Sequence, residues 1–316
     1  MRGLGSFILY KKESSFATKP SGNYDIGYIK SGARSNMQPA MTPINYLSSS
    51  RSVGKIGNNP SHKTIRQVQG SLNFDLSSSL KPLMQLAFYD ENSSSHTGGE
   101  QLHFDSSNNH SFTLEHQIGS LSNKRYEQTG CFITSYGFNV PSLDSLVQFN
   151  VDMIGKKEEY ITSGLASTSS NLKPFNPLFP SYLAKLELRD NGSLEEVLEY
   201  SSLSINVNNN VQYQNYLSST VYNEQKPTIG LREIIGTATL RLKENKLQWF
   251  ENIVTNKDEK ELNLVLTDEE ENTMTINLAS VYFQTGHLNN IVEGELSIST
   301  GFIALKNSSH DIKVTY

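Results

Sequence analysis

Seven histidines come first as candidates for chemistry: His62, His96, His103, His110, His116, His287 and His310. None stands in a His-Glu-x-x-His pattern, and no pair has a cysteine partner, so zinc catalysis has no ligand set. His103 with Asp105, and His110 with Glu115, are spaced so that each pair could meet at a metal, although histidine is also an ordinary residue of wet loops. The single cysteine, Cys131, precedes Phe132 and Ile133. That apolar setting predicts a buried, unreactive thiol rather than a nucleophile. One cysteine forms no internal disulfide and no cysteine-based zinc site. There is no Gly-x-Ser-x-Gly elbow and no glycine loop ending in Lys-Ser or Lys-Thr for phosphate. The acidic run Asp268-Glu269-Glu270-Glu271 lacks the alternate spacing and glycine of a calcium loop, and reads as a solvated hairpin tip. Trp249 sits at the edge of an apolar helix face, where core or subunit contact is its expected role. No catalytic, cofactor-binding or metal-ligating residue is predicted, no cofactor is implied, and the protein is expected not to be an enzyme.

The elements around these residues alternate with period two. Leu72, Phe74 and Leu76 alternate with polar neighbours, as do Val147, Phe149, Val151 and Met153, and Leu203, Ile205 and Val207. Leu240 with Leu242, Leu262 through Leu266, and Met274 through Leu278 repeat the pattern. Side chains of a strand point alternately to its two faces, so each segment buries one face and wets the other. The fold class predicted is all-β, in antiparallel sandwiches or barrels. Asp190-Asn191-Gly192 predicts a tight hairpin. Two short helices interrupt the strands. One follows Ser79, its expected cap, with Leu80, Leu83, Met84 and Ala87 on one face. The other covers about 243–254, with Leu247, Phe250, Ile253 and Val254 together.

These helices mark an internal repeat. A Gly-led strand precedes each, at Gly70–Leu76 and Gly236–Leu242, and strands follow in the same order. Tyr136 to Ile154 parallels Val281 to Thr300. Two tandem β domains with one short helix each are predicted, 1–160 and 161–316. A Ser/Pro-rich linker is placed at 155–181, and a long polar arm at 31–66 inside the first domain. An arm too polar to bury its own core is expected to order against a neighbouring subunit.

The 316 residues carry a net charge of −5, with 36% hydrophobic residues and a mean hydropathy of −0.44. A nucleic-acid binder would need a basic surface, and no clustering of Lys and Arg supplies one. The start, Met1–Tyr10, is charged too soon for a signal peptide, and no apolar run reaches membrane-spanning length, so synthesis in a reducing cytoplasm and no membrane anchor are expected.

The opening Gly5-Ser6-Phe7-Ile8-Leu9-Tyr10-Lys11-Lys12-Glu13-Ser14-Ser15-Phe16-Ala17-Thr18 resembles the start of a family of bacteriophage tail tube proteins. So do the arm ending at Gln67-Val68-Gln69-Gly70-Ser71 with the helix after Ser79, the Asn-rich end of Ser204–Asn210, and the strand Ile235–Leu240. The arm lacks the basic turn of a typical member. The resemblance implies two β domains of the tail-tube type and a virion protein of the phage tail. Inner strands would join those of neighbours in a ring, and stacked rings would form the conduit for genome ejection. Three chains would give a pseudo-sixfold ring; six chains are the alternative. Further implied partners are the terminator, tape measure and distal tail proteins, with DNA passing through the lumen without specific binding. Asp75, Asp152, Glu293 and Glu295, on polar sides of long strands, are candidates for an acidic lumen that repels DNA, or else ordinary solvated strand positions. The competing function is a β-sandwich carbohydrate-binding or adhesin-type tail module, which would need exposed aromatics grouped on loops.

Overall fold

A computed structural model describes residues 7–29, 38–39, 68–89, 95–97, 110–117, 125–163, 166, 177–190, 192–212, 226–284, 287–292, 295–306 and 310–316. Most of the arm at 31–66 lies outside them, with His62, His103, Asp105 and Glu293. The first half contains β1 (Phe7–Lys12), β2 (Asp25–Tyr28), β3 (Gln38–Pro39), β4 (Val68–Asp75), α1 (Lys81–Phe88), β5 (Ser95–Thr97), β6 (Phe112–Gln117), β7 (Arg125–Val140), β8 (Gln148–Gly155) and β9 (Lys157–Ile161). The second contains β10 (Lys185–Asp190), β11 (Ser193–Asn208), β12 (Val211–Gln212), β13 (Thr228–Ile229), β14 (Glu233–Lys243), α2 (Glu244–Asn256), β15 (Lys260–Thr267), β16 (Thr273–Phe283), β17 (His287–Val292), β18 (Glu295–Leu305) and β19 (Ile312–Thr315). The protein is all-β with two short helices, as the alternation predicts.

Every ladder is antiparallel, and the two halves pair in the same order. In the second half the ladders β10–β11, β11–β14, β14–β18, β18–β16, β16–β15 and β15–β10 close a six-stranded barrel. In the first, β2–β1, β1–β6, β6–β7, β7–β8 and β8–β4 follow the same sequence of partners. One apolar core runs through both, from Phe74, Phe138 and Phe149 to Leu240, Leu264 and Phe302.

Two 16-residue strands join the halves. The first part of β7 pairs with β6 as far as Cys131, and from Ser135 it pairs with β11 instead. In turn β11 pairs with β10 as far as Leu198, then with β7 from Leu203. A register irregularity sits at each changeover, at Ile133/Ser135 in β7 and Tyr200/Ser202 in β11. A bulge bends a strand and raises its twist, which lets each one leave the strands of its own half for the shared sheet.

Buried polar groups fasten the same junction. The Arg232 guanidinium pairs with Asp311 at 3.3 Å and donates to the Phe88 carbonyl at 3.2 Å and to Asn209 Oδ1 at 3.1 Å. The amide of Asn209 donates to the carbonyls of Ala87 and Ile133 at 3.0 and 3.2 Å. Side chains from the second half thus satisfy carbonyls at the end of α1, which its own turn leaves open.

Three local expectations need correction. Ser79 does not cap α1: the helix starts at Lys81 with Leu80 in the cap position and no side-chain cap bond, Pro82 occupies its first turn, and the Ser79 hydroxyl meets that of Ser77 at 2.7 Å. Residues 157–161, placed in the linker, form β9 on the edge of β7. Asp268 is not a solvated tip residue. It is 1% exposed, and its carboxylate accepts from the Glu270 and Asn272 amides at 2.9 Å, leaving Glu269–Glu271 exposed.

Candidate functional site

The residues proposed for chemistry go to structural work. Cys131 is fully buried, and burial pushes its thiol well above the ordinary range. His110 packs on Tyr89 with ring centroids 5.0 Å apart, while Glu115 pairs with Lys19 and Arg125 at 3.3 and 3.4 Å. No group of three metal-ligating side chains occurs among the described residues. Trp249 packs against the core edge and donates to Glu195 at 3.2 Å. Of the exposed tyrosines Tyr28, Tyr126, Tyr160 and Tyr182, the first three stand on strands and the fourth in the turn just before β10.

One carboxylate cluster is not visible in sequence. Glu115 and Glu127 are buried side by side with Arg125, and Lys19 reaches both. Glu115 also accepts from the Ala166 amide at 2.8 Å, and Arg125 donates to the Ser163 carbonyl at 3.2 Å. The cluster ties the chain leaving β9 to strands β6 and β7. Only the alternation that turns both glutamates off the apolar side of β6 and β7 hints at it.

The extended surface is the sheet β4–β8–β7–β11–β14–β18. Its buried face carries Phe74, Phe149, Phe138, Ile205, Gly236 and Phe302 in one row. Its other face follows from the same register. One row reads Asn73, Asn150, Gly137, Asn206, Ile235 and Ile303; the next reads Asp75, Gln148, Asn139, Ser204, Thr237 and Gly301. A third begins Ser71, Asp152, Ser135, Asn208 and Glu233. Amides and hydroxyls dominate, and the four strands from β4 to β11 place no Lys or Arg on this face where they pair. Cations enter only at Arg241 and Lys243 of β14.

Asp152 is on this face, and its carboxylate accepts from Ser71 at 2.5 Å and Ser135 at 2.6 Å on the flanking strands. Asp75 shares the face, half-buried, opposite Gln148. Glu295 begins β18 opposite Lys243.

At seam level, Gly137 is required. A Cβ there would lie 2.9 Å from the Ile205 carbonyl and 2.8 Å from Asn206 Oδ1.

Two halves that pair their strands in the same order share one polar-faced sheet. The family model for phage tail tube proteins matches residues 3–304, nearly the whole chain. The chain belongs to the phage tail tube protein family. No curated protein matches it. As a tail tube protein it is a structural component of the virion tail, and membership implies assembly with itself and with other tail proteins. Among the described residues of this tail tube protein, no helix is long and apolar enough to cross a membrane.

Proposed function

We propose that the protein builds the tail tube by repeating between chains the strand pairing that joins its own halves, and that the polar sheet face lines the channel for genome ejection. The carrying observation is the β7–β11 seam together with two open edges in equivalent positions. Strands β16 and β17 pair along β18 as β7 pairs along β8, which puts β17 where the seam-forming part of β7 lies. Strands β2 and β3 stand where β11 does: β2 pairs with β1 as β11 pairs with β10, and β3 meets the start of β4 as Asn208 meets Glu233. Among the described residues, β17 pairs only with β18 and β3 only with β4.

An open strand edge is an association hazard that a protein must cover. Pairing β17 of one copy with β2–β3 of the next covers both. The contact is head-to-tail and closes into a ring when its rotation divides a full turn. Each half, 1–160 and 161–316, then acts as one tube domain, and three chains place six domains around the axis. The terminator, tape measure and distal tail proteins complete the tail at the ends and inside the tube.

Negative-stain microscopy of the purified protein tests this reading. Rings or tubes of uniform bore are expected, with threefold symmetry end-on. A protein that stays monomeric when concentrated refutes it, and sixfold symmetry with six chains refutes the three-chain ring.

A further inference from the structure

Residues 310–316 touch both halves, and we propose that they are a clasp that fixes the angle between the halves, a joint separate from the β7–β11 seam. One edge of β19 pairs with β16 of the second half, with Ile312 opposite Leu278 and Val314 opposite Ile276. Its other edge pairs with β5 of the first half, with Lys313 opposite Thr97 and Thr315 opposite Ser95. Ile312 and Val314 are fully buried.

The segment also holds α1 of the first half at both ends. At the far end of the helix, Asp311 pairs with Arg232, whose guanidinium donates to the Phe88 carbonyl. Toward its start, the Tyr316 hydroxyl donates to Met84 Sδ at 3.3 Å, and the Lys81 ammonium stands 4.8 Å from the centre of the Tyr316 ring. Lys81 and Phe88 are the first and last residues of that helix.

The internal repeat shows that the β5 contact is not needed to complete either half. Strand β9 lies along β7 beside β8 as β19 lies along β16 beside β18. Among the described residues β9 pairs only with β7, so a strand in this position stands without a neighbour on its outer edge. The second half has no counterpart of β5: α2 passes into β15 through residues 257–259. The β5–β19 ladder therefore serves the junction between the halves. It also lies past residue 304, where the family match ends, so family membership alone does not supply it. Units joined at one place move about that joint by default. The clasp adds a second joint and removes that freedom within a single chain.

Hydrogen exchange on the dilute full-length protein, before any assembly, tests this. Tyr316→Ala removes the contact from one side and Lys81→Ala from the other. Tyr316→Ala should speed exchange of amides in β5 and in the seam residues 136–140 and 203–208 by roughly tenfold. Strands β10 and β15 should keep wild-type protection. Lys81→Ala should speed the same amides roughly threefold, the loss of one cation–π contact. The double variant should exchange no faster than Tyr316→Ala, because the two substitutions remove a shared contact. Unchanged exchange at the seam overturns the clasp. So does a loss of protection that spreads to β10 and β15, which would make the segment a general part of the second half. Effects that multiply in the double variant overturn the Lys81–Tyr316 contact on which it rests. Should Tyr316→Ala not fold, as judged by circular dichroism, Lys81→Ala alone decides between a faster and an unchanged seam.

Discussion

Glu13 shows what a single residue contributes. It belongs to the opening Lys-Glu-small-small-aromatic stretch, and its side chain is buried beneath the turn that follows β1. Its carboxylate accepts from the Gly130 amide at 2.9 Å, the Ala17 amide at 2.7 Å, Thr113 at 2.8 Å and Ser111 at 2.5 Å. Phe16 then packs on Phe132, with ring centroids 5.9 Å apart. Burial raises the Glu13 pKa above its ordinary 4.5, and the four donors oppose that rise without cancelling it. A carboxyl whose folded pKa is raised adds stability below its unfolded pKa and loses it as pH climbs through the folded value. Glu13→Gln puts an NH2 group against a backbone donor, so a loss of about 1–3 kcal/mol is expected. The advantage of wild type over this variant should widen as pH falls toward 4.5 in urea titrations. An advantage that stays constant or narrows would refute the assignment.

At the level of elements, the seam depends on backbone approach. In an open strand, replacing glycine by a β-branched residue normally helps. At Gly137 the sign reverses, because the new Cβ meets the Ile205 carbonyl. Gly137→Val should cost about 1–3 kcal/mol, read as a lower urea midpoint; a gain would show that the β7–β11 ladder has room to spare. Much of this level was legible in sequence. The alternation located the strands, the two helices fell within a few residues of α1 and α2, and Asp190-Asn191-Gly192 joins β10 to β11 with Asp190 opposite Ser193. The change of partner in β7 and β11 was not legible. Local pattern says which face of a strand is buried but not which strand lies beside it, and a bulge at Ile133 or Tyr200 leaves no mark in composition. The Arg232–Asp311 pair was hidden for the same reason, its partners being 79 residues apart.

At the scale of the whole molecule, the tail-tube resemblance implied a channel that repels DNA by carboxylates, which the net charge of −5 permits. The sheet face supports a different physical basis. Its carboxylates are few, one of them, Asp152, is bonded by two serines, and most positions are neutral amides and hydroxyls. Binding to DNA is driven by cations that displace counterions from phosphate. A face without cations along four strands has no such drive, whatever its carboxylate content. Installing cations should therefore convert the channel from passage to retention. Asn150→Lys with Asn206→Lys adds two cations per chain in one row of the face, and six per ring of three chains. If each neutralises a phosphate, DNA retention by assembled variant tubes should fall with salt at a log–log slope steeper than that of wild type by about 5, since each neutralised phosphate contributes about −0.9. Wild-type tubes, whose face carries cations only at Arg241 and Lys243, should retain less DNA. A variant that retains no more DNA than wild type would place the polar face somewhere other than the channel.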